Sequence, residues 1–305
     1  MTSIHDPADT CAEIGCQWGA SGNRLYRNAG ERRFDDHTDL AGVREGGWGW
    51  GAAALDYDND GDLDLVMTNG QNYPFAGGIE AAFHDDPMRL WRNDGSGRFS
   101  EVSADAGLDE TRAGKGLLHF DYDRDGDLDL FVVNNGETPA LYRNDGGSQN
   151  DWLRVRVEGR RSNRQGIGAR VRLTARRGGP TQTREISGGS HFLAQSEPAA
   201  WFGLGTLQER RIYEVRVEWP ASGAVRVRHW VPKNRVLVVR EPRRRRRAGD
   251  DACSRTPPWS APWMQPVARG AGSNGTRFIS TGNDFLNLRE GFPCRIFGPA
   301  GGYLK

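Results

Sequence analysis

Ten residues, Asp56-Tyr57-Asp58-Asn59-Asp60-Gly61-Asp62-Leu63-Asp64-Leu65, return sixty-five positions later as Asp121-Tyr122-Asp123-Arg124-Asp125-Gly126-Asp127-Leu128-Asp129-Leu130, with one position changed. Five carboxylates within nine residues repel one another in a folded chain unless a cation sits among them. Calcium takes six to eight oxygen ligands at about 2.3–2.6 Å, and alternate side chains of a loop point at one centre. Asp56, Asp58 and Asp60 fill the first three places. Gly61 permits the sharp turn, after which the carbonyl of Asp62 and the carboxylate of Asp64 complete the shell. The second loop maps the same way onto Asp121, Asp123, Asp125, Asp127 and Asp129, so two Ca²⁺ sites are expected. A solvated Asp-rich turn is the usual account of one such run, and the same pattern twice in the same context argues against it.

An EF-hand loop ends in a bidentate Glu at position twelve and lies between helices. Position twelve is Met67 in one loop and Val132 in the other, and Leu63-Asp64-Leu65-Val66-Met67-Thr68 has strand character. These loops join strands.

The sixty-five-residue shift also places Leu25 on Leu90, Arg27-Asn28 on Arg92-Asn93, Phe34 on Phe99 and Ala41-Gly42 on Ala106-Gly107. A third start, Leu141-Tyr142-Arg143-Asn144-Asp145-Gly146, follows Leu90 by only fifty-one residues, because the first unit carries an extra loop around Gln71 to Pro87. Each unit parses as four short strands: one ending in the Leu-aromatic-Arg-Asn turn, one near the Phe, one entering the Asp-rich loop and one leaving it. Four strands per repeat is the pattern of a β-propeller blade. Gly49-Trp50-Gly51 before Asp56 to Leu65, and Gly114-Lys115-Gly116 before Asp121 to Leu130, resemble FG-GAP or VCBS repeats of integrin-alpha-like propellers. The resemblance implies that each ion rigidifies a hairpin, with Leu63 and Leu65 facing the sheet packing. Residues 1–150 hold about two to two and a half units, while propellers close with four to eight blades, which favours a fragment of a longer protein.

From Asp151 to Glu241 apolar and basic residues alternate, as in Leu153-Arg154-Val155-Arg156-Val157 and Val215-Arg216-Val217-Glu218-Trp219. Period-two alternation in short runs predicts a small antiparallel β-sandwich, and the whole chain reads as all-β. Asn163 to Val171, Gly188-Gly189-Ser190, Gln195, Phe202-Gly203-Leu204-Gly205 and Trp219-Pro220 with Ser222-Gly223 resemble an ASPIC/UnbV domain. That domain follows FG-GAP repeats in the cartilage acidic protein family. Gly166-Ile167-Gly168, with no βαβ context, reads as turn glycines between strands and not as a phosphate loop. Residues 242–305, opening on Arg243 to Arg247 and rich in Pro, Gly and Ser, read as a low-order tail, for which a non-native terminus is one explanation.

Charge divides at the same boundary. Residues 1–150 carry 28 acidic and 12 basic side chains, a balance of −16, and residues 151–305 carry 12 and 29, a balance of +17. A basic half suggests nucleic acid, but arginines alternating with apolar residues read as the solvated face of a sheet, with no RNA-binding motif beside them. Polarity of this kind favours domain docking or head-to-tail association. No run of eighteen apolar residues exists, so no membrane span is expected. Met1 to Asp6 lacks a signal-peptide pattern, whereas the family resemblance implies an extracellular or periplasmic protein, which suggests a missing upstream segment. Cys11 and Cys16 form either a local disulfide or free thiols, and with Cys253 and Cys294 they make no zinc set.

No nucleophile elbow or acid–base constellation appears, and His119 and His191 have no acid partner in the sequence pattern. No catalytic residues are expected. The reading is a non-enzymatic, calcium-stabilised adhesion or protein-interaction module with an unidentified protein or glycan ligand. Two alternatives stand beside it: a carbohydrate-binding or substrate-presenting accessory using Trp48, Trp50, Tyr73, Phe75 and Trp91, and nucleic-acid binding through the basic half.

Overall fold

A computed structural model of the protein describes residues 22–72, 83–108, 111–189 and 191–243. The loop tip with Tyr73 and Phe75, the four cysteines and the tail after Arg243 lie outside these residues. The described structure is nearly all β, in several sheets of which none closes on itself.

Strands β1 (Tyr26–Gly30) and β2 (Arg33–Asp36) form a two-stranded ribbon that runs into a one-turn helix, α1 (Thr38–Ala41). A four-stranded antiparallel meander follows: β3 (Ala52–Leu55), β4 (Asp64–Met67), β5 (Arg89–Asn93) and β6 (Phe99–Glu101). A three-stranded one comes next: β7 (Gly114–Phe120), β8 (Asp129–Asn134) and β9 (Ala140–Tyr142).

The sixty-five-residue repeat survives in the bonding. His37 N–H donates to Leu25 O at 2.8 Å as Val102 N–H does to Leu90 O at 2.8 Å. Leu25 N–H reaches Thr38 Oγ1 at 2.9 Å as Leu90 N–H reaches Ser103 Oγ at 2.7 Å. Gly42 (φ +77°) and Gly107 (φ +70°) then turn the chain away in the left-handed region that glycine enters without strain.

One expectation is corrected here. The sequence unit does not fold as one sheet, because the hairpin β3–β4 pairs forward with β5–β6 of the next unit and not back with β1–β2. The turn at α1 and Gly42 carries the chain to a new sheet, so every sheet is offset from the sequence repeat by two strands. The extra loop therefore lies between β4 and β5, within a sheet.

Successive sheets stack face to face. Leu65 and Met67 pack toward Ala41, Val43 and Trp91, while Val66 between them packs with Leu55, Leu90, Leu117, Leu130 and Val132 on the opposite face. Strand β4 is thus covered on both sides. Leu63 and Leu65 are only half-buried, and Asp64 and Val66 are the residues fully enclosed.

The fifty-one-residue offset of the third unit puts the equivalent of β6 at Asn150–Trp152. There the chain enters β10 (Asp151–Glu158) instead, which bonds to β13 (Ala199–Gly205) and β16 (Arg235–Arg240). A second sheet orders β12 (Thr181–Glu185), β11 (Arg170–Thr174), β14 (Arg211–Trp219) and β15 (Ala224–Pro232). Alternate residues Leu153, Val155 and Val157 face Val171, Leu173, Val215, Val217, Phe202 and Trp219 in one buried cluster between the two sheets. The pairing is antiparallel except for β10 with β16, which run parallel because the chain crosses from one sheet to the other after β15. Everything described up to Pro242 forms one compact unit.

Glu241 closes this half. Its side chain, 1 % exposed, accepts the backbone N–H groups of Arg160, Arg161 and Ser162 at 2.7, 2.8 and 2.9 Å. Burial pushes its pKa up, but hydrogen bonds from the Ser222 hydroxyl and these amides outweigh burial and bring it to about 2. A depressed carboxylate stabilises the fold above its unfolded pKa near 4.5 and loses that contribution as pH falls toward 2. Glu241→Gln is expected to cost about 2 kcal/mol at neutral pH, since three amides lose a charged acceptor. Its urea midpoint should then change less than that of the parent between pH 4.5 and pH 2. Equal pH slopes in the two proteins would sink the assignment.

Candidate metal centre

Each Asp-rich loop joins the first two strands of a meander, β3 to β4 and β7 to β8. Short side-chain-to-backbone bonds coil it, with Asp60 N–H on Asp58 Oδ1 at 3.3 Å and Asp62 N–H on Asp60 Oδ1 at 2.9 Å. Positive φ at the fourth and sixth positions, Asn59 (+56°) and Gly61 (+108°), wraps the chain around its own carboxylates. Arg124 (+69°) and Gly126 (+104°) repeat the conformation.

In this geometry one carboxylate oxygen from each of Asp56, Asp58 and Asp64 lies within 4.8 Å of the others, and Asp121, Asp123 and Asp129 form the matching group. The remaining expected ligands stand outside these groups. Asp60 Oδ1 and Asp125 Oδ1 take the N–H groups of Asp62 and Asp127 at 2.9 and 3.3 Å, and Asp127 Oδ2 takes Ser148 N–H at 2.8 Å. The last Asp of each loop anchors the sheet. Asp64 accepts Tyr57 N–H at 3.2 Å and Asn93 N–H at 2.8 Å, and Asp129 accepts Tyr122 N–H at 2.7 Å and Asn144 N–H at 2.9 Å.

The residues fit a hard divalent cation. Asp56 Oδ1 and Asp121 Oδ1, at the same place in the two loops, are buried with no hydrogen-bond partner. A buried carboxylate oxygen without a donor is costly unless something positive faces it. Burial, with Asp60 adding to it, pushes the Asp56 carboxyl up to about 7. Burial likewise raises Asp64 to about 8, with Asp58 adding to it, and Asp127 to about 7. The donors are all carboxylate oxygens, the set that suits Ca²⁺ over softer metals.

The first loop is also a joint. Asp56 Oδ2 accepts Gly203 N–H from β13 at 3.0 Å. Asn59, fully buried, donates to Gly126 O at 2.9 Å and Gly147 O at 3.1 Å, accepts Trp201 Nε1–H at 2.8 Å, and takes Gly205 N–H on its carbonyl at 2.8 Å. One side chain thereby ties the first loop to the second loop, to the turn before β10 and to the sandwich. Sequence reasoning assigned Asn59 no role, although it stands at the one position that differs between the two loops; its counterpart Arg124 is exposed. Asn150 adds a bond to Asp58 O at 2.9 Å.

The other candidates separate cleanly. The loop between β12 and β13 lies along β3 and β7: His191 Nδ1 is 3.0 Å from Ala52 O, its Nε2 is 3.0 Å from Ser196 Oγ, and that oxygen takes His119 N–H at 3.0 Å. His119 is stacked edge-on to His191 at 5.3 Å, and burial brings its pKa down to about 4. Trp91 is 3 % exposed and belongs to sheet packing. Trp48 and Trp50 stack in parallel at 6.2 Å, with Lys115 Nζ 4.0 Å over the Trp50 ring. Among the described residues no helix is long and apolar enough to cross a membrane.

Comparison with known proteins agrees with this architecture. Residues 13–67 and 79–132 match the FG-GAP-like repeat, and residues 159–246 match the family described as ASPIC and UnbV. The chain is 35 % identical to human cartilage acidic protein 1 over 133 residues, which is 42 % of this chain and 19 % of that protein. The mouse protein of the same name gives the same identity over 42 % of this chain and 20 % of its own length, and the Xenopus tropicalis one gives 35 % over 111 residues. This chain thus spans about a fifth of the length of those relatives. It is a chain of FG-GAP-like repeats followed by an ASPIC and UnbV domain, homologous over part of its length to cartilage acidic protein 1.

Proposed function

We propose that this chain is a non-enzymatic, calcium-stabilised adhesion or protein-interaction module. Its two Ca²⁺ ions would be held by Asp56, Asp58 and Asp64 and by Asp121, Asp123 and Asp129, with oxygens of the intervening acids completing each shell. Calcium supplies charge neutralisation, which lets buried carboxylates stay ionised and fixes the hairpin that carries them. The observation that carries this reading is the orphaned buried oxygen repeated at Asp56 and Asp121. On this reading residues 1–150 are part of a β-propeller, residues 151–241 a sandwich docked on it, and residues 242–305 a tail. The setting is extracellular or periplasmic, where millimolar calcium saturates sites of modest affinity. The partner is a protein or glycan.

Calorimetric titration of the metal-stripped chain should show two Ca²⁺ per molecule, and one in Asp121→Asn. Absence of any saturable calcium heat would remove the metal from the proposal. A second reading, a sugar-stacking platform, is favoured by the parallel Trp48 and Trp50 rings. Glycan-array binding that disappears in Trp48→Ala would support it, and an unchanged profile would discard it.

A further inference from the structure

Three turns in this chain are built alike, and two of them hold a hairpin. Asn93 donates its N–H to Asp64 Oδ1 at 2.8 Å and its side-chain amide to Leu63 O at 3.0 Å, while its Oδ1 takes Gly95 N–H at 3.0 Å. Asn144 donates to Asp129 Oδ1 at 2.9 Å and to Leu128 O at 3.4 Å, while its Oδ1 takes Gly146 N–H at 3.0 Å. Each asparagine latches an Asp-rich hairpin to the strand beside it.

Asn28 is the third copy. Its Oδ1 already takes Gly30 N–H at 2.8 Å, so the turn is set, yet among the described residues β1 pairs only with β2. The bond from His37 N–H to Leu25 O fixes the alternation of the strand. In an antiparallel pair successive residues bond to opposite sides, so Leu25 and Arg27 face β2 while the backbone groups of Tyr26 and Asn28 face the free edge. Trp91 and Asn93 use those same groups against β4. Charge agrees as well: Arg92 acts electrostatically on Asp58 of the hairpin it borders, and Arg27 holds the same place in the first turn.

We propose that the free edge of β1, with Asn28 as its latch, docks an Asp-rich calcium hairpin from another polypeptide. The partner is two strands joined by Asp-x-Asp-x-Asp-Gly-x-x-Asp, its last Asp accepting Asn28 N–H and the residue before that Asp accepting the Asn28 side-chain amide. A second copy of this chain does not qualify, because its own hairpins are already paired to β5 and β9. The inference rests on the calcium reading only for the ion in the partner's loop; the docking itself rests on backbone pairing.

The test uses a synthetic peptide with the sequence of residues 49–68, titrated into the full chain with calcium and with chelator. Because an isolated two-stranded hairpin is marginally stable, the same residues are also fused through a flexible linker ahead of Met1. Hydrogen exchange at the Tyr26 and Asn28 amides should slow at least about tenfold in one format or the other. Asn28→Ala should weaken the effect about tenfold, the equivalent of one lost hydrogen bond. Tyr26→Pro, which removes an edge N–H and leaves the bonds to β2, should abolish it. Protection in neither format, or protection indifferent to both substitutions, overturns the proposal. Protection that is equal with chelator keeps the docking and counts against the calcium reading instead.

Discussion

Chelation should lower the melting temperature of this protein sharply, and substitution of one loop aspartate should change sign with calcium. Each site saturated at a hundred times its dissociation constant contributes about 2.7 kcal/mol, so two sites together contribute about 5 kcal/mol. Asp56→Asn preserves the acceptor for Gly61 and Gly203 N–H groups, which both bond Asp56 Oδ2, and places an uncharged amide where the partnerless Oδ1 stood. With calcium present the variant loses a ligand and should be less stable by about 2 kcal/mol, a figure typical of losing one charged contact. In chelator it removes a buried charge among like charges and should be neutral or more stable than the parent. Thermal melts of both proteins in both conditions give the four values needed. A substitution that destabilises equally with and without calcium would show that Asp56 acts only as a hydrogen-bond acceptor.

Asn59→Ala should be the most damaging polar substitution in the chain, at about 4 kcal/mol. It strands the Trp201 Nε1–H and the carbonyls of Gly126 and Gly147, all bonded to the Asn59 side chain, and each buried orphan costs about 1–3 kcal/mol. Alanine also fits φ +56° poorly, adding about 1 kcal/mol. Asn59→Gly separates the two contributions, because glycine accepts the dihedral and loses only the hydrogen bonds. Arg124→Asn, at the matching exposed position of the second loop, should change stability by less than about 0.5 kcal/mol. Equilibrium urea unfolding ranks the three. A loss below about 1 kcal/mol for Asn59→Ala would mean that the joint between loop and sandwich is held elsewhere.

The loops, the all-β class and the change of texture at Asp151 were legible because each rests on local pattern: carboxylate spacing, strand alternation, glycine at a left-handed turn. The phase of the repeat was not. A periodic sequence specifies the length of its unit but not where a sheet begins, and only the bonds from β4 to β5, closed by Asn93 on Asp64, decide it. The parallel pairing of β10 with β16 is equally non-local, since both strands alternate in the same way whichever direction their neighbour runs. Of the five expected ligands per loop, the structure brings three together, because Asp60, Asp62, Asp125 and Asp127 differ from them in direction and not in spacing. Asn59 left a legible signal of a different kind. In two loops otherwise identical, the position free to vary was the one with a separate task.

The two-strand offset between unit and sheet makes the array a running bond of brickwork. Each unit lends half its strands to the course on either side, so no joint in the sequence falls on a joint in the wall. A truncation placed at a unit boundary leaves an open half-sheet on both fragments, with apolar strands and unpaired amides presented to any other chain. Fragments cut through the turns after α1 or before β7 keep their sheets whole, and those are the ends at which such a protein can be divided, extended or joined.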